Sequence, residues 1–390
     1  MQQHRPENLN PTTTAKISNL FLSPDDENSV IIFEDCDFVS DEDGEDTIGL
    51  VCTTGHAIAF RRCRFRGDRT SVFVGCFDDR ELKDLSEPLD PQLNGNPKVL
   101  FGSCLFESFK PDTGSACVMV GSSGTATFLN CMFRKCNGGV KVRHGGKADL
   151  VHCTITDVFN CGVEVPRYGT CSMLHCLIEK VVCIGAAAMH GSNFVIMKSR
   201  VEGKMGCYSA GLIFTGKKGA PVIVKDCSVA NCVFGIKAEL HHVNVTVANT
   251  TFINCTKAGV VVNPNTLGTV TVNNCTFHHC NCTVGNASGE QCVVTVDGER
   301  QAPNDIPLSQ CGCGRCLPCL AANRASKEAG MGTINCAKCA AEEPMDTKFK
   351  SCSKCKNVCY CSRECQTAHW KEHKSICDPR YKYSKLKFDA

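Results

Sequence analysis

Three windows of the chain decide the fold: KADLVHCTIT (residues 147–156), TCSMLHCLIE (residues 170–179) and NFVIMKSRVE (residues 193–202). They begin 23 residues apart and share one pattern. Each has a small residue at its seventh position, an apolar residue three positions earlier and another apolar residue two positions later. Self-similarity at a period of about 20 to 50 residues is typical of solenoids, in which each repeat stacks on its neighbours to bury a continuous core.

The same unit recurs ten times between residues 30 and 296. The small residues that align are Cys36, Cys63, Cys104, Cys131, Cys153, Cys176, Ser199, Cys227, Thr250 and Cys275. Eight of them are cysteines, and both flanking positions are apolar in every unit. Successive units are 22 to 28 residues apart, except for a step of 41 residues between Cys63 and Cys104. This step contains a polar, proline-marked stretch, residues 78–97, which predicts a loop bulging from one repeat, either inert or partner-binding.

The spacing within a unit predicts two strands joined by a one-residue corner. Side chains two positions apart lie on the same face of a strand, whereas the odd step of three breaks the alternation and requires a bend. The residue before the aligned position is often Asp, Asn or His, and these residues tolerate a left-handed backbone. Glycine–apolar pairs farther along several of the units, such as Gly162 with Val163 and Gly235 with Ile236, predict another turn and a third strand.

This pattern predicts a parallel β-helix. No unit shows a helical periodicity over ten residues, which argues against helical and leucine-rich repeats. Identical positions of successive turns then stack about 4.8 Å apart, so the aligned cysteines would form an interior column of small hydrophobic side chains. The repeats resemble the right-handed β-helix repeats of pectate-lyase-like proteins and of F-box proteins that carry such repeats.

A second pattern stands near the end of the chain, where eight potential zinc ligands follow one another. They are Cys336, Cys339, Cys352, Cys355, Cys361, Cys365, His373 and Cys377. Two sets of four sulfur and nitrogen ligands are what two structural Zn²⁺ ions require. A segment this short cannot bury a sufficient core, so the metal would hold it folded. His369 lies one helical turn before His373 and remains an alternative ligand, because histidines four residues apart on a helix can share one zinc ion.

The Tyr360-Cys361 pair and the terminal His373-x3-Cys377 resemble the MYND zinc finger, and the resemblance covers residues 336–377. It implies an interleaved arrangement of the two zinc ions. The first would be bound by Cys336, Cys339, Cys361 and Cys365, and the second by Cys352, Cys355, His373 and Cys377.

The resemblance also implies a function, because MYND modules are protein-interaction domains whose groove accepts proline-containing peptides. In this chain Gln366 and Trp370 lie four residues apart, on one face of a short predicted helix. By resemblance they would line the groove, with Trp370 stacking on a proline and Gln366 holding a backbone group of the peptide. Alternatively Trp370, the only tryptophan of the chain, is a core residue of the finger.

An enzyme is the other class to consider. Pectate-lyase-like enzymes act on carbohydrate with carboxylates clustered in a β-helix groove, and hydrolysis of a glycosidic bond needs two carboxylates several Å apart. Here Glu164, Asp226 and Glu239 are scattered over the repeats. We therefore expect an adaptor without catalytic residues rather than a carbohydrate-active enzyme.

The predicted protein is mainly β, a right-handed parallel β-helix solenoid followed by a small two-zinc MYND finger with a short C-terminal helix. The predicted segments are a disordered polar tail over residues 1–29, β-helix repeats over 30–296, a Cys-rich linker or cap over 297–335, the finger over 336–377 and a basic tail over 378–390. Four linker cysteines could hold a third metal ion or cap the last repeat: Cys311, Cys313, Cys316 and Cys319.

Composition bears on location and partners. The sequence shows neither an apolar leader with a basic start nor about 18 consecutive apolar residues, so we expect no secretion signal and no membrane span. In a reducing compartment the 33 cysteines would stay free or bind metal, which favours a cytoplasmic or nuclear location. From Cys336 onward the sequence contains 12 Lys and Arg and 7 Asp and Glu, and the repeats carry no basic stripe. Proteins, rather than nucleic acids, are the expected partners.

Overall fold

The computed structural model describes most of the repeats and parts of the C-terminal region. The described residues are 13–17, 20–22, 30–40, 50–52, 57–67, 72–75, 97–108, 116–204, 210–216, 220–239, 241–288, 291–303, 338–339, 349–353 and 359–373. The chain divides into two compact units, Met1–Ile306 and Pro307–Ala390.

The first unit is built from three long sheets, named A, B and C in the order in which the chain meets them. Sheet A contains Thr13–Ile17, Cys36–Ser40, Arg64–Gly67, Leu105–Ser108, Met132–Arg134, Thr154–Thr156, Leu177–Val181, Arg200–Gly203, Ser228–Ala230, Thr251–Ile253 and Thr276–His278. Sheet B contains Leu20–Leu22, Leu50–Cys52, Val72–Val74, Val118–Val120, Gly138–Val142, Cys161–Val165, Ile184–Ala188, Ala210–Thr215, Phe234–Glu239, Ala258–Val262 and Val284–Asn286. Sheet C contains Val30–Glu34, Ala57–Arg61, Lys98–Gly102, Thr125–Leu129, Lys147–Val151, Thr170–Leu174, Asn193–Met197, Pro221–Lys225, His241–Ala248, Thr266–Asn273, Cys292–Val296 and Glu299–Arg300.

The order of the strands confirms the predicted β-helix. Each turn of the chain visits sheet A, then B, then C, so hydrogen-bonded neighbours in a sheet come from successive turns. Pairing along these sheets is parallel and keeps equivalent residues side by side, as where Phe65 pairs with Phe106. The exception among the described strands is Glu299–Arg300, which folds back antiparallel on Cys292–Val296 at the end of sheet C.

The solenoid begins earlier than the sequence suggests. Thr13–Ile17 pairs in parallel with Cys36–Ser40, and Leu20–Leu22 pairs with Leu50–Cys52. The prediction of a disordered tail over residues 1–29 is therefore wrong for these two strands. A terminal strand takes its backbone hydrogen bonds from the next turn, so it can form without the full apolar signature of a repeat.

The one-residue corners between sheets C and A are confirmed. The residue before each aligned position has a φ between 48° and 54°; these residues are Asp35, Arg62, Ser103, Asn130, His152, His175, Lys198, Asp226, Asn249 and Asn274. A second series of residues with φ between 53° and 55° lies where the chain leaves sheet A, at Lys135, Asp157, Lys180, Asn231, Asn254 and His279. Lys180 is inside Leu177–Val181, at the point where the register of that strand shifts. At each corner a single residue with a left-handed backbone changes the direction of the chain.

The repeated glycines lie inside the strands of sheet B and not at the second turn, which corrects their predicted place. The turn occurs earlier, at the second series of left-handed residues, whereas Gly162 belongs to Cys161–Val165. A Cβ atom on Gly162 would lie 2.5 Å from the carbonyl oxygen of Gly185 in the next turn and 3.2 Å from Ile178. Glycine is therefore required by the close approach of successive turns.

The aligned cysteines form the predicted interior column. Cys131 is 1% exposed, and its thiol donates to the carbonyl oxygen of Phe101 in the preceding turn at 3.3 Å and to that of Leu129 at 3.5 Å. Burial raises the pKa of the Cys131 thiol, so it stays protonated and acts as a donor. Ser199 makes the equivalent bond to the carbonyl oxygen of Met197.

The apolar positions on either side of this column carry two stacks of phenylalanines. In one stack the ring centroids are 4.9 to 5.2 Å apart, and its members are Phe33, Phe60, Phe101 and Phe128. In the other they are 4.6 to 4.9 Å apart, and its members are Phe38, Phe65, Phe106 and Phe133. The two stacks meet edge to face, an arrangement that stabilises aromatic pairs beyond the burial of their area.

A charged ladder on the outer side of sheet A joins separate turns. The side chain of Glu107 is 2% exposed and lies between Arg64 and Arg134. Arg64 donates from Nη2 to the carboxylate at 2.6 Å, and Arg134 donates from Nε to the other oxygen. Burial alone would raise the pKa of Glu107, but the hydrogen bonds from the two guanidinium groups outweigh it and lower the pKa.

Among the described residues, no helix is both long and apolar enough to span a membrane.

Candidate metal centre and peptide-binding face

The second unit contains a short hairpin followed by one helix, α1. Lys350–Ser351 pairs antiparallel with Cys359–Tyr360, and α1 spans Arg363–His373. Ser362 caps the helix: its hydroxyl oxygen accepts from the backbone N–H of Cys365 at 3.2 Å, and its carbonyl oxygen accepts from the N–H of Gln366. The predicted short helix is thus confirmed.

Three of the predicted ligands of the first zinc ion come together. The sulfur of Cys361 lies 3.5 Å from those of Cys339 and Cys365, and the three ligand atoms are all within 4.8 Å of one another. Zinc–sulfur bonds of about 2.3 Å in a tetrahedron hold sulfurs about 3.8 Å apart, so the cluster fits one Zn²⁺. Cys339 and Cys361 are exposed, which argues against cysteines that merely pack in a core. The fourth predicted ligand, Cys336, lies outside the described residues.

The second predicted site stays a prediction. Cys352 is buried, but Cys355 and Cys377 lie outside the described residues, as does the side chain of His373. The linker cysteines considered for a third metal ion, residues 311 to 319, fall outside them as well.

His369 has a packing role that the sequence did not reveal. Its ring is 6% exposed, and its Nδ1 lies 3.1 Å from the hydroxyl oxygen of Tyr360, with the two rings edge to face at 5.8 Å. Tyr360 is itself buried in the strand that precedes the helix. This contact fastens the back of α1 to the hairpin and accounts for the burial of His369 without a metal ion.

Of the predicted peptide-binding residues, Trp370 lies on a different face of the helix from His369. Trp370 is 37% exposed, and Gln366, one turn earlier, is half-buried. The exposure of Trp370 argues against the alternative that it is a core residue. In a helix of about 100° per residue, Gln366 and Trp370 are only about 40° apart, while His369 points about 100° away from Trp370. One face of α1 therefore packs inward and its neighbouring face presents an aromatic ring.

The scattered carboxylates of the solenoid are engaged in pairs with other side chains. Glu164 lies 3.0 Å from the ammonium group of Lys141, and Glu239 lies 2.5 Å from that of Lys237. Asp226, at a corner, accepts a hydrogen bond from the side-chain amide of Asn249 at 2.9 Å. Glu164 lies on a different turn from Asp226 and Glu239, and none of the three carboxylates pairs with another.

Comparisons with known proteins agree with both units. The family model described as the MYND finger matches residues 336–377. The model described as the right handed beta helix region matches residues 48–218 and 205–298, which together exceed half of the chain. The protein therefore belongs to the right-handed β-helix family and carries a MYND finger, a zinc-binding, protein-interaction domain.

Similarity to solved structures is distant. The catalytic unit of a thermostable GH87 alpha-1,3-glucanase from Streptomyces thermodiastaticus strain HF3-3 matches with 12% identity and a TM-score of 0.40, over 73% of this chain and 61% of the glucanase chain. The chain thus spans less than two thirds of that structure. A TibC-catalyzed hyper-glycosylated TibA fragment matches with 9% identity and a TM-score of 0.16, over 73% of this chain and 99% of the fragment.

Proposed function

We propose that the protein is an adaptor, in which the β-helix is a scaffold and the MYND finger recruits proline-containing peptides of partner proteins. The proposal rests on one observation: Trp370 is exposed on a helix that other side chains of the helix hold in place. Cys365 ties the first turn of α1 to the cysteine cluster, and His369 ties its middle to Tyr360. A ring held in place in this way loses little entropy on binding, which favours affinity.

Zinc would set this geometry. Cys339, Cys361 and Cys365, with Cys336, would hold the first ion. The second would be held by Cys352, Cys355, His373 and Cys377. When bound, the metal supplies folding energy to a unit with little core of its own, and the helix then projects Gln366 and Trp370 toward a peptide.

We also propose that the protein is not an enzyme and that it works in the cytoplasm or nucleus. The pairing of the solenoid carboxylates with Lys141, Lys237 and Asn249 supports the first point, because a catalytic acid pair needs free neighbouring carboxyl groups. The described cysteines, none of which is in a disulfide bond, support the second.

Isothermal titration of the full-length protein with proline-containing peptides, chosen from a synthetic array, tests the proposal. Trp370→Ala should weaken binding by roughly thirtyfold or more, because a buried aromatic anchor contributes about 2–4 kcal/mol. Trp370→Phe is the matched control and should retain part of the affinity. Zinc content should be the same in all three proteins, because Trp370 is not a ligand.

Unchanged affinity in Trp370→Ala would place the peptide site elsewhere. Loss of zinc in the same variant would show that Trp370 supports the fold of the finger instead.

A further inference from the structure

The peptide-binding face of α1 carries a charge as well as an aromatic ring. Arg363 is exposed at the start of the helix and follows the same stripe as Gln366 and Trp370, with spacings of three and four residues. At about 100° per residue, Arg363 lies about 20° from the direction of Trp370 around the helix axis. A ligand that covers the ring and continues along the helix must meet this guanidinium group.

The carboxylate next to Arg363 in the sequence lies off the Trp370 face. Glu364 points about 120° away from Trp370 around the helix. It belongs to the first turn of the helix. Within the part of the chain that the structure describes, Arg363 forms no salt bridge. The Trp370 face therefore presents the guanidinium group of Arg363 to a ligand.

The distance between the two groups defines a spacing in the ligand. Arg363 and Trp370 are seven residues apart, or about 10 Å along the helix axis. A proline-containing peptide in the polyproline II conformation advances about 3.1 Å per residue. A carboxylate about three residues from the proline would therefore lie over Arg363 when the proline lies on Trp370.

We propose that the finger selects proline-containing peptides that carry an Asp or Glu about three residues from the proline. This inference rests on the proposed function and specifies its ligand. The formal charge of the segment agrees with it, since residues 336–390 contain 12 Lys and Arg against 7 Asp and Glu. The guanidinium fork suits a carboxylate because it can donate two parallel hydrogen bonds.

The test is a titration of the full-length protein with matched peptides. Each has the same proline and differs in one residue, Asp, Asn or Lys, placed three positions before or after it. In one of the two directions the Asp peptide should bind about three- to fivefold more tightly than the Asn peptide, the range of a partly exposed ion pair, and the Lys peptide more weakly. The Asp preference should shrink as salt is added.

Two variants locate the effect. Arg363→Gln should bind the Asp and Asn peptides equally. Lys350→Gln, which removes an exposed cation from the hairpin of the same unit, should keep the preference. Peptides that bind without an Asp preference, or a preference that survives in Arg363→Gln, would overturn this inference and leave the proposed function standing. Failure of every proline peptide to bind would overturn both.

Discussion

Replacing Cys131 by aspartate tests the interior column most sharply. The thiol is 1% exposed and donates to two carbonyl oxygens, those of Phe101 and Leu129. An aspartate carboxylate would face the same oxygens as a negatively charged acceptor, with no donor in reach at either of them. Such a group is driven to take up a proton, and burial raises its pKa well above the value of about 3.9 that it has in the unfolded chain.

The cost follows from that shift. If burial raises the aspartate pKa to about 7, neutralising the group at pH 7 costs about 4 kcal/mol, at about 1.4 kcal/mol for each pKa unit. Cys131→Ser is the matched control, because Ser199 already fills the equivalent position of another turn and donates to the carbonyl oxygen of Met197 at 2.8 Å. The serine variant should lose about 1 kcal/mol, the size of one weakened hydrogen bond.

The two units can be followed separately in one sample. The only tryptophan lies in the finger, so its fluorescence reports that unit, while far-ultraviolet circular dichroism reports mainly the strands of the solenoid. In urea, Cys131→Asp should lower the midpoint of the dichroism transition far more than Cys131→Ser, and the fluorescence transition should not move. Equal midpoints for the two variants would refute a buried thiol at this position.

Three further predictions concern the ladder, the glycines and the finger. Glu107→Gln should destabilise the solenoid by about 2–3 kcal/mol at neutral pH, because it removes the charged partner of two arginines. The pKa of Glu107 is lower in the folded protein than in the unfolded chain, so the extra stability of wild type is present above the unfolded pKa of about 4.3. In urea melts this difference should vanish as the pH falls through the folded pKa. Gly162→Ala should lower the stability of the solenoid by about 1–3 kcal/mol in thermal melts, because the added Cβ forces successive turns apart. Gly102→Ala, whose added Cβ would meet only an oxygen at 3.8 Å, should change the stability little. Similar losses of stability in both variants would contradict a steric cause. Tyr360→Phe should release zinc to a chelator at a lower chelator concentration than wild type, because it removes the hydrogen bond between the Tyr360 hydroxyl and Nδ1 of His369, at a cost of about 1–2 kcal/mol. An unchanged release curve would mean that this contact does not hold the helix in place.

The repeat could be predicted because every turn repeats the same chemistry at the same place. The aligned cysteine, the apolar residues around it and the left-handed residue before it recur with little variation, so one alignment determined the β-helix and its first corner. The second corner was missed because lysine occupies it as often as asparagine, as at Lys135 and Lys180. Lysine carries no preference for a left-handed backbone, so stacking imposes this conformation where the residue type does not indicate it.

Contacts between turns were harder to predict than the turns themselves. Glu107 pairs with Arg64, 43 residues earlier, across a step whose length differs from that of all the other repeats. Which outward side chains meet depends on the register of adjacent strands, and the insertion hides that register in the sequence. The two N-terminal strands escaped prediction for a related reason, because their stability comes from the next turn rather than from their own residues.

In the finger, the ligand spacing indicated zinc chemistry, and the resemblance to the MYND finger implied the grouping in which Cys339, Cys361 and Cys365 now lie together. The contact between Tyr360 and His369 could not be read from spacing, because the same histidine also lies at a plausible ligand position. The exposure of Trp370 likewise depends on which face of the helix packs inward. The sequence pattern therefore indicated the metal-binding chemistry, while the structure was needed to distinguish residues that pack inside the finger from residues that are exposed to a partner.

The zinc content of the purified full-length protein tests the central claim most directly. We predict about two zinc ions per chain after removal of loosely bound metal, since eight ligands form two tetrahedral sets. Cys361→Ser should lower that number while the dichroism of the solenoid stays unchanged, because repeat stability depends on neighbouring turns. A content below about one zinc ion per chain, in protein whose solenoid is folded, would contradict the account of a two-zinc finger that presents Trp370 to its partners.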